Sequence, residues 1–301
     1  MAIKYLIKRI ISAITRSPFG PLFAWLHDVM SLIDYWRAVC WQMIKGLRKP
    51  TSEEVSAIVS EATFIYKSFE RQPMSKRLFW NIQKYYPGVK VIIADDSKKP
   101  LEIISPYAEV IQLPFNTGLS YGISQALEKV QTPYTIHVDN DMLLVPATKW
   151  HKQLQFLKEH PEIDLCAVQA ISMPCFQKPE KSAAAYDRFS MDNAEKPLII
   201  PHKTRIDDDH YVMGKVPNIF IARTEKYKEI GYDPLIWIID HHEFFFRAAG
   251  NIVSAMDIHA FMFHYHNRFD QKYGKYRANF RRDAYYIREK HKNDNYYGKK
   301  G

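Results

Sequence analysis

The chain has 301 residues, of which 47% are hydrophobic and 14% aromatic, enough for one large folded unit with its own core. Eleven glycines, seventeen prolines and 25% charged residues exclude collagen-like, low-complexity and disordered chains. The three cysteines (Cys40, Cys166 and Cys175) are odd in number and unevenly spaced, so they indicate neither a disulfide framework nor a zinc cluster. This cysteine usage predicts a reducing compartment.

The net charge of +9 first suggests a polyanionic partner, but the charge is unevenly distributed. Residues 1–50 carry +6 and residues 267–301 carry +7, which leaves −4 for residues 51–266. A nucleic-acid enzyme more often places positive charge around its site, so no nucleic-acid partner is expected. The same ranges give the predicted organisation: an amphipathic, basic helical segment, a central α/β unit, and a basic, Tyr-rich C-terminal helix and tail.

The first 50 residues predict two amphipathic helices. Residues 2–16 form the first, Pro18 and Pro21 flank a break, and the second carries one apolar side. We call that side the apolar stripe: Leu22, Trp25, Leu26, Val29, Ile33, Trp36, Cys40, Met43, Ile44 and Leu47. No stretch approaches the roughly 20 apolar residues of a membrane span, and no secretory signal is expected. Two interpretations remain: a helical pair lying on an anionic membrane surface, or a hairpin packed on the domain or on another subunit.

The central unit alternates predicted strands and helices. The strands are residues 62–66, 89–94, 110–113 and 134–138, and the helices between them are residues 71–86 and 122–130. This alternation predicts an α/β fold with a mostly parallel sheet covered on both faces and a ligand beyond the carboxyl ends of its strands. No glycine-rich dinucleotide or P-loop motif follows a strand.

Acidic residues follow two of these strands. Asp95 and Asp96 end one, and Asp139 and Asp141 end another with Asn140 between them. Two carboxylates at positions i and i+2 can hold one hard cation that also bridges phosphate oxygens. An isolated pair is more often an ordinary loop cap. Further polar motifs in chain order favour a site: the turn at 116–122 and the acidic cluster at 240–243.

The order and spacing of these motifs resemble the inverting glycosyltransferases of the GT-A fold, of the broad family-2 type. The resemblance covers about residues 62–266 and is carried by residues 63–71, 92–97, 116–120 and 138–141. Three later segments resemble the ganglioside-type β-1,4-N-acetylgalactosaminyltransferases: residues 216–224, 231–234 and 242–247. The chain departs from the general pattern at 122–124, where it has Gly-Ile-Ser instead of the common Gly-Arg-Asn. The donor contact usually given to that Arg therefore has no counterpart there.

The resemblance implies a Rossmann-like sheet flanked by helices and a UDP-sugar donor. Six residues are implied in binding the nucleotide sugar: Asp95, Asp96, Asn116, Gly118, Asp139 and Asn140. Asp96 would contact the uridine and ribose, with a solvated turn as the alternative. Asp141, together with Asp139, would hold Mn²⁺ or Mg²⁺ on the diphosphate. His264 or His266 would be a further ligand. The alternative is that these histidines lie in the core with their hydrogen bonds satisfied.

The resemblance also implies a general base that takes the proton of the acceptor hydroxyl. Glu243 is the first candidate and Asp240 the second, and burial beside Phe244–Phe246 is expected to raise the pKa of Glu243. The alternative for Asp240 and Glu243 is a capping box at a helix start. Trp237 would stack on an acceptor sugar, or else lie in the core. The acidic run 207–210 is read as a loop near the site without direct contact to the ligands.

Together these features predict an inverting, metal-dependent enzyme that moves a hexose or N-acetylhexosamine from a UDP-sugar to a glycan or lipid-linked acceptor. The basic termini predict a peripheral location on the cytoplasmic face of a membrane. The rival interpretation is a non-catalytic protein of the same fold that binds a sugar nucleotide or a glycan.

Overall fold

The computed structural model describes residues 13–15, 17–174, 191, 194–267, 269–276 and 280–292. The strands are β1 (Ala62–Ser68), β2 (Val91–Asp95), β3 (Ala108–Gln112), β4 (Tyr134–Val138), β5 (Met142–Leu143), β6 (Leu165–Ser172), β7 (His210–Val212), β8 (Ile219–Arg223) and β9 (Ser254–His264). The helices are α1 (Gly20–Ile44), α2 (Ser52–Glu61), α3 (Gln72–Tyr85), α4 (Leu119–Glu128), α5 (Trp150–Glu159), α6 (Thr224–Ile230), α7 (Asp240–Ala248), α8 (Gln271–Tyr276) and α9 (Phe280–His291). Most of the predicted helix over residues 2–16 lies outside the described residues.

The strands form one nine-stranded sheet in the order β3-β2-β1-β4-β8-β6-β9-β5, with β7 paired to β9. The four strands predicted from the sequence are all present and run parallel to one another. Strands β8, β5 and β7 join antiparallel, while β6 and β9 pair in parallel. The predicted α/β class is confirmed, and the later strands make the sheet mixed.

The central parallel strands are mostly apolar and fully buried because helices cover both faces of the sheet. Every residue of β1, β2 and β4 is buried. On one face Phe64 packs with Trp150 of α5, whose rings meet edge to face at 6.4 Å. On the other face Ile65 and Ile92 belong to a cluster that also holds Ile123 of α4. This core fixes where β1 and β4 end.

Strand β9 brings a distant part of the chain to the end of β4. Its last residue, His264, pairs with Met142 of β5, and the N–H of Tyr265 donates to the carbonyl of Asp141 at 2.7 Å. Residues more than 120 positions apart in sequence are thereby fixed side by side. The candidate ligand His264 is therefore the last residue of a sheet strand that ends beside Asp141.

Helix α1 packs on the domain through a mixed face, on which Ala38 and Val39 join a core cluster beside buried polar side chains. Asp34 and Gln42 are buried, Tyr35 donates to the carbonyl of Leu144 at 3.1 Å, and the side-chain oxygen of Gln42 accepts from the N–H of Ala147 at 2.9 Å. The apolar stripe faces outward instead: eight of its ten residues are exposed and the other two are half-buried. Helix α1 therefore packs on the domain, as the second interpretation expects, but through a face other than the apolar stripe.

No helix among the described residues has both the length and the apolar character that crossing a membrane requires.

The C-terminal helices pack against the central unit. Asp283 of α9 is fully buried, and its carboxylate accepts hydrogen bonds from the N–H groups of Trp237, Ile238 and Ile239 at 3.0, 2.6 and 3.2 Å. Three donors on one carboxylate oxygen fix the segment that leads into α7. The described part of residues 267–301 is therefore built into the fold, and residues 293–301 lie outside the described part.

Candidate active site

A cavity of about 410 Å³ opens beyond the carboxyl ends of β1 and β4. Its walls come from the end of β1, the turn before α4, the loop after β4 and the segment that enters α7. These strand ends meet at the edge where open α/β sheets bind their ligands. Eight of the twelve predicted site residues line the cavity: Asn116, Gly118, Asp139, Asn140, Asp141, Trp237, Asp240 and His264.

Asp141, His264 and His266 form a cluster with the side chains of a metal site. One ligand atom from each lies within 4.8 Å of the others. His264 Nε2 is 3.4 Å from Asp141 Oδ1, and His266 Nδ1 is 3.8 Å from Asp141 Oδ2. Asp139, predicted as a second carboxylate ligand, lines the same cavity outside this three-residue cluster, and its role as a ligand stays a prediction.

The electrostatics of this cluster fit a divalent cation. Burial alone would raise the pKa of Asp141, but the two neighbouring histidines and the charge of Arg71 hold that pKa well below its usual range. Asp141 and its neighbour Asp139 in turn raise the pKa of His264 against the effect of burial. His266 Nδ1 is buried without a hydrogen-bond partner among the described residues. One anionic oxygen ligand and two imidazoles suit a divalent first-row transition metal ion.

Two basic side chains that the sequence analysis did not place in the site line the cavity. The Arg71 guanidinium donates to Asp141 Oδ2 at 3.0 Å and to Asn140 Oδ1 at 3.2 Å, and it stacks on the ring of Tyr273 at 3.8 Å. Lys67 donates to Asp96 at 2.5 Å, and its side chain is only 6% exposed. Burial lowers the pKa of Lys67 more than Asp96 raises it. Both cations stand where an anionic diphosphate would be attracted.

Asp95 and Asp96 are fully buried and lie behind the cavity wall. Asp95 accepts from Ser97 Oγ at 2.7 Å and from the N–H of Leu101 at 2.8 Å, which fixes the loop after β2. Asp96 accepts from Lys67 and from the N–H of Thr117 at 2.8 Å. Their direct contact with a nucleotide stays a prediction, whereas their contacts here position Lys67 and the turn before α4.

The close approach of Gly118 and Trp237 explains a glycine in that turn. Gly118 has a φ of +100°, and a Cβ added there would lie 2.8 Å from Trp237 Cδ1. The N–H of Leu119 donates to the carbonyl of Trp237 at 3.1 Å, so the two segments are tied together. Arg282 of α9 stacks on the Trp237 ring at 4.6 Å. Trp237 also lines the cavity, and its contact with an acceptor sugar stays a prediction.

The two candidate bases occupy different environments. Asp240 is the first residue of α7, is 1% exposed and lines the cavity. Glu243 is buried behind the wall, where Arg247 donates to both of its oxygens at 2.7 and 2.9 Å. Lys290 and His291 of α9 also contact Glu243, at 2.8 and 3.2 Å.

The expected rise in the pKa of Glu243 is wrong. Burial does push this pKa upward, but hydrogen bonds and charge from Arg247 and Lys290 outweigh burial and hold the pKa below its usual value. The capping-box interpretation is also wrong, because α7 begins after Ile239 with no side-chain cap. Glu243 thus anchors α9 onto α7.

The acidic run at 207–210 is not near the site. His210 begins β7, pairs with Asp257 near the start of β9, and stacks on Phe156 with ring centroids 3.7 Å apart. His264 lies at the far end of β9, roughly 20 Å away at about 3.3 Å per strand residue. Asp207 accepts from the N–H of His210 at 2.7 Å, so it caps a turn on the opposite side of the sheet.

Residues 63–274 match the family model described as Glycosyl transferase family 2. The chain belongs to glycosyl transferase family 2. The matched range contains every predicted site residue and extends to Tyr273, which lines the cavity beyond the predicted domain boundary at 266.

Curated relatives of this family-2 glycosyltransferase carry the names of N-acetylgalactosaminyltransferases. The chain is 31% identical over 218 residues to beta-1,4 N-acetylgalactosaminyltransferase 2 of Mus musculus, an alignment that covers 70% of this chain and 40% of the relative. It is 32% identical over 209 residues to beta-1,4 N-acetylgalactosaminyltransferase 1 of Homo sapiens, covering 66% and 37%. The chain thus spans about two fifths of the length of the curated relatives it matches.

Solved structures share the fold at low identity. S. aureus TarS 1-349 superposes with a TM-score of 0.51 and 18% identity, covering 68% of this chain and 60% of TarS 1-349. The same protein in complex with UDP-GlcNAc gives a TM-score of 0.50 and 15% identity, covering 70% and 61%. The predicted GT-A fold is confirmed, and glycosyltransferases of this fold typically use a divalent metal.

Some functional residues of the family-2 site were missed by sequence reasoning. Tyr273 and Tyr276 line the cavity but lie in the segment read as a basic tail. Lys67 and Arg71 lie in a quoted family motif without an assigned role. The lysine within the buried strand β1 could have indicated a place in the site, because a fully buried cation requires a partner.

Proposed function

We propose that this chain transfers an N-acetylhexosamine from a UDP-sugar, with inversion, to a hydroxyl of a glycan or lipid-linked acceptor. One observation carries the proposal: a single cavity is lined by Asp141 and His264 of the metal-type cluster and by the buried carboxylate of Asp240. A metal-type cluster and a separate carboxylate are the two parts that this reaction requires.

The proposed donor rests on the relatives. The curated relatives are named N-acetylgalactosaminyltransferases, and TarS is described in complex with UDP and with UDP-GlcNAc. A UDP-N-acetylhexosamine is therefore the proposed donor, and UDP-N-acetylgalactosamine is the first to test. Asn116 and Gly118 line the cavity on the side of the predicted nucleotide site.

The proposed ion is Mn²⁺ rather than Mg²⁺. Mg²⁺ prefers oxygen ligands and keeps its waters, whereas two imidazoles beside one carboxylate suit a softer transition metal. Asp141, His264 and His266 would hold the ion, with Asp139 beside them. When bound, the ion would neutralise negative charge on the departing diphosphate.

Asp240 is the proposed general base. As the acceptor oxygen forms its bond to C1 of the sugar, Asp240 takes the hydroxyl proton, and the bond from C1 to the diphosphate breaks with its electron pair leaving on UDP. Arg71 and Lys67 lie where they stabilise that charge. His241 also lines the cavity, but its Nε2 donates to the carbonyl of Val216. Burial is the main cause that lowers the pKa of His241 to about 4.

The acceptor and the cellular location are proposed from the surface of the chain. Trp237 offers an aromatic face to an acceptor sugar. The exposed apolar stripe of α1 and the basic termini support association with the cytoplasmic face of a membrane, which suits a lipid-linked acceptor.

Release of UDP from a panel of UDP-sugars, with Mn²⁺ and a mixed glycan acceptor pool, tests this function. We expect release with at least one UDP-N-acetylhexosamine, loss with EDTA and loss in Asp141→Ala. The matched control Asp208→Ala removes an exposed carboxylate of the remote loop and retains activity. Binding of UDP without turnover of any donor would favour the non-catalytic interpretation, and no binding of UDP would overturn both.

A further inference from the structure

A second cavity, of about 670 Å³, lies between the C-terminal half of α1, the loop before α5 and the first half of β9. Within the described ranges, it shares no lining residue with the candidate active site. Its wall holds three lysines, contributed by the residue after α1 (Lys45), by the residue before α5 (Lys149) and by α5 itself (Lys152). Three separate segments thus bring ammonium groups to one concave surface.

The carboxylates in this wall have partners of their own. Asp257 accepts from Gln153 Nε2 at 2.7 Å and from the N–H groups of His259 and Ala260 at 2.7 and 2.8 Å. Asp209 lies 3.7 Å from His259 Nε2. Neither carboxylate forms an ion pair with the three lysines in the described part of the chain.

The lysines repel one another in this setting. Burial lowers the pKa of Lys149, the charge of Lys152 lowers it further, and Asp257 and Asp209 only partly oppose these effects. Positive charge is thus concentrated and incompletely neutralised, which is the condition that attracts an anion.

Gln42 offers a neutral donor to the same cavity. Its side chain is 2% exposed, and its oxygen accepts from the N–H of Ala147 at 2.9 Å. Its amide nitrogen Nε2 is buried and has no acceptor among the residues that the structure describes. A buried donor without an acceptor costs free energy, so this group indicates an acceptor atom supplied by a ligand.

The outward face of α1 borders the cavity. Trp41 is 41% exposed and lines the cavity, so it belongs to both surfaces. Large apolar side chains stand exposed along the whole helix: Leu22, Phe23, Trp25, Leu26, Met30, Leu32, Ile33, Trp36, Trp41, Met43 and Ile44. A free phosphate ion would account for the lysines alone. A phospholipid accounts for both features, because it presents an anionic headgroup beside an apolar interior.

We propose that this cavity, which we call the headgroup cavity, binds the phosphate-bearing headgroup of an anionic membrane lipid while α1 lies in the bilayer surface with its apolar stripe inward. The inference rests on the membrane association proposed above and specifies the lipid contact. It places the headgroup phosphate among Lys45, Lys149 and Lys152, with Gln42 Nε2 donating to one of its oxygens.

Flotation of the full chain with vesicles tests the proposal. We expect binding to vesicles of phosphatidylcholine with phosphatidylglycerol, and binding weaker by about tenfold or more in Lys149→Gln/Lys152→Gln, since each lysine at an anionic surface contributes substantially. The matched control Lys129→Gln/Lys226→Gln removes two exposed charges elsewhere and binds as the unmodified chain does. Equal binding of both double variants would contradict headgroup binding in this cavity but would still support membrane association. No binding of the unmodified chain would overturn both, while UDP release remains an independent readout.

A soluble probe separates a lipid site from a phosphate site. Dihexanoylphosphatidylglycerol, kept below its micelle concentration, is expected to change the fluorescence of the unmodified chain but not of Trp41→Phe. Gln42→Glu keeps the oxygen that accepts from Ala147 and is expected to abolish the change. An equal response to inorganic phosphate would overturn the lipid assignment. A dimer that forms without lipid and buries the stripe would also overturn it.

Discussion

The carboxylate of Glu243 and the guanidinium of Arg247 form a two-point ion pair one turn apart on α7, with N–O distances of 2.7 and 2.9 Å. Lys290 of α9 adds a third donor at 2.8 Å. These contacts make Glu243 a buried anchor for the C-terminal helix, and they separate it from Asp240, which lines the cavity at the start of the same helix.

Glu243→Gln is expected to destabilise the fold by about 1.5–3 kcal/mol, since it weakens charge-assisted hydrogen bonds from the partly exposed Arg247 and Lys290 to a buried carboxylate. The folded-state pKa of Glu243 lies below its ordinary value of 4.5, so its contribution is complete above pH 4.5 and is lost as the pH falls through the folded-state pKa. Unfolding by denaturant at several acidic pH values measures both effects. The variant should show a shallower loss of stability below pH 4.5, and an unchanged slope would contradict the anchor role.

Asp283→Asn tests the contact between α9 and the segment that enters α7. Loss of the charge that receives three N–H groups is expected to cost about 1–3 kcal/mol and to raise the KM for the acceptor, because Trp237 is no longer held. Glu289→Gln, on an exposed position of the same helix, is the control and should match the unmodified chain. Altered stability with an unchanged acceptor KM would show that Asp283 does not position Trp237.

Arg71→Ala is expected to raise the KM for the UDP-sugar by about tenfold or more, since a charge-assisted contact to a phosphate contributes roughly 1.5–3 kcal/mol. Arg71→Lys should recover only part of the loss, because an ammonium group cannot pair bidentately or stack on Tyr273 in the same way. Lys90→Ala removes an exposed charge paired with Glu109 and serves as the control. The assignment of Arg71 to the diphosphate fails if donor kinetics are unchanged.

His266→Ala and His264→Ala are both expected to weaken Mn²⁺ binding by about tenfold or more, which calorimetry with the ion alone measures. His259→Ala changes an exposed imidazole on the same strand and should have no effect. Because the pKa of His264 is raised above 6.5 and a ligand must lose its proton, Mn²⁺ affinity should rise with pH through and above 6.5. An effect of His264→Ala without one of His266→Ala would remove His266 from the site.

The parallel half of the sheet and the metal-type residues could be predicted from sequence because their signals are local. The buried strands are mostly apolar, and Asp139 and Asp141 follow one of them directly. The orientation of α1 could not be predicted, because a helix normally buries its most apolar side and here the buried face combines Ala38 and Val39 with the polar Asp34 and Gln42. The role of Glu243 depends on Lys290, 47 positions away, so no local pattern reveals it.

Steady-state kinetics of Asp240→Asn and Glu243→Gln, side by side with UDP-N-acetylgalactosamine and Mn²⁺, test the central claim most directly. If Asp240 is the general base, Asp240→Asn lowers kcat by about 10²-fold or more while UDP still binds, and Glu243→Gln retains kcat within a few-fold at a temperature where it is folded. The opposite order, with Glu243→Gln inactive although folded and Asp240→Asn active, would contradict the account.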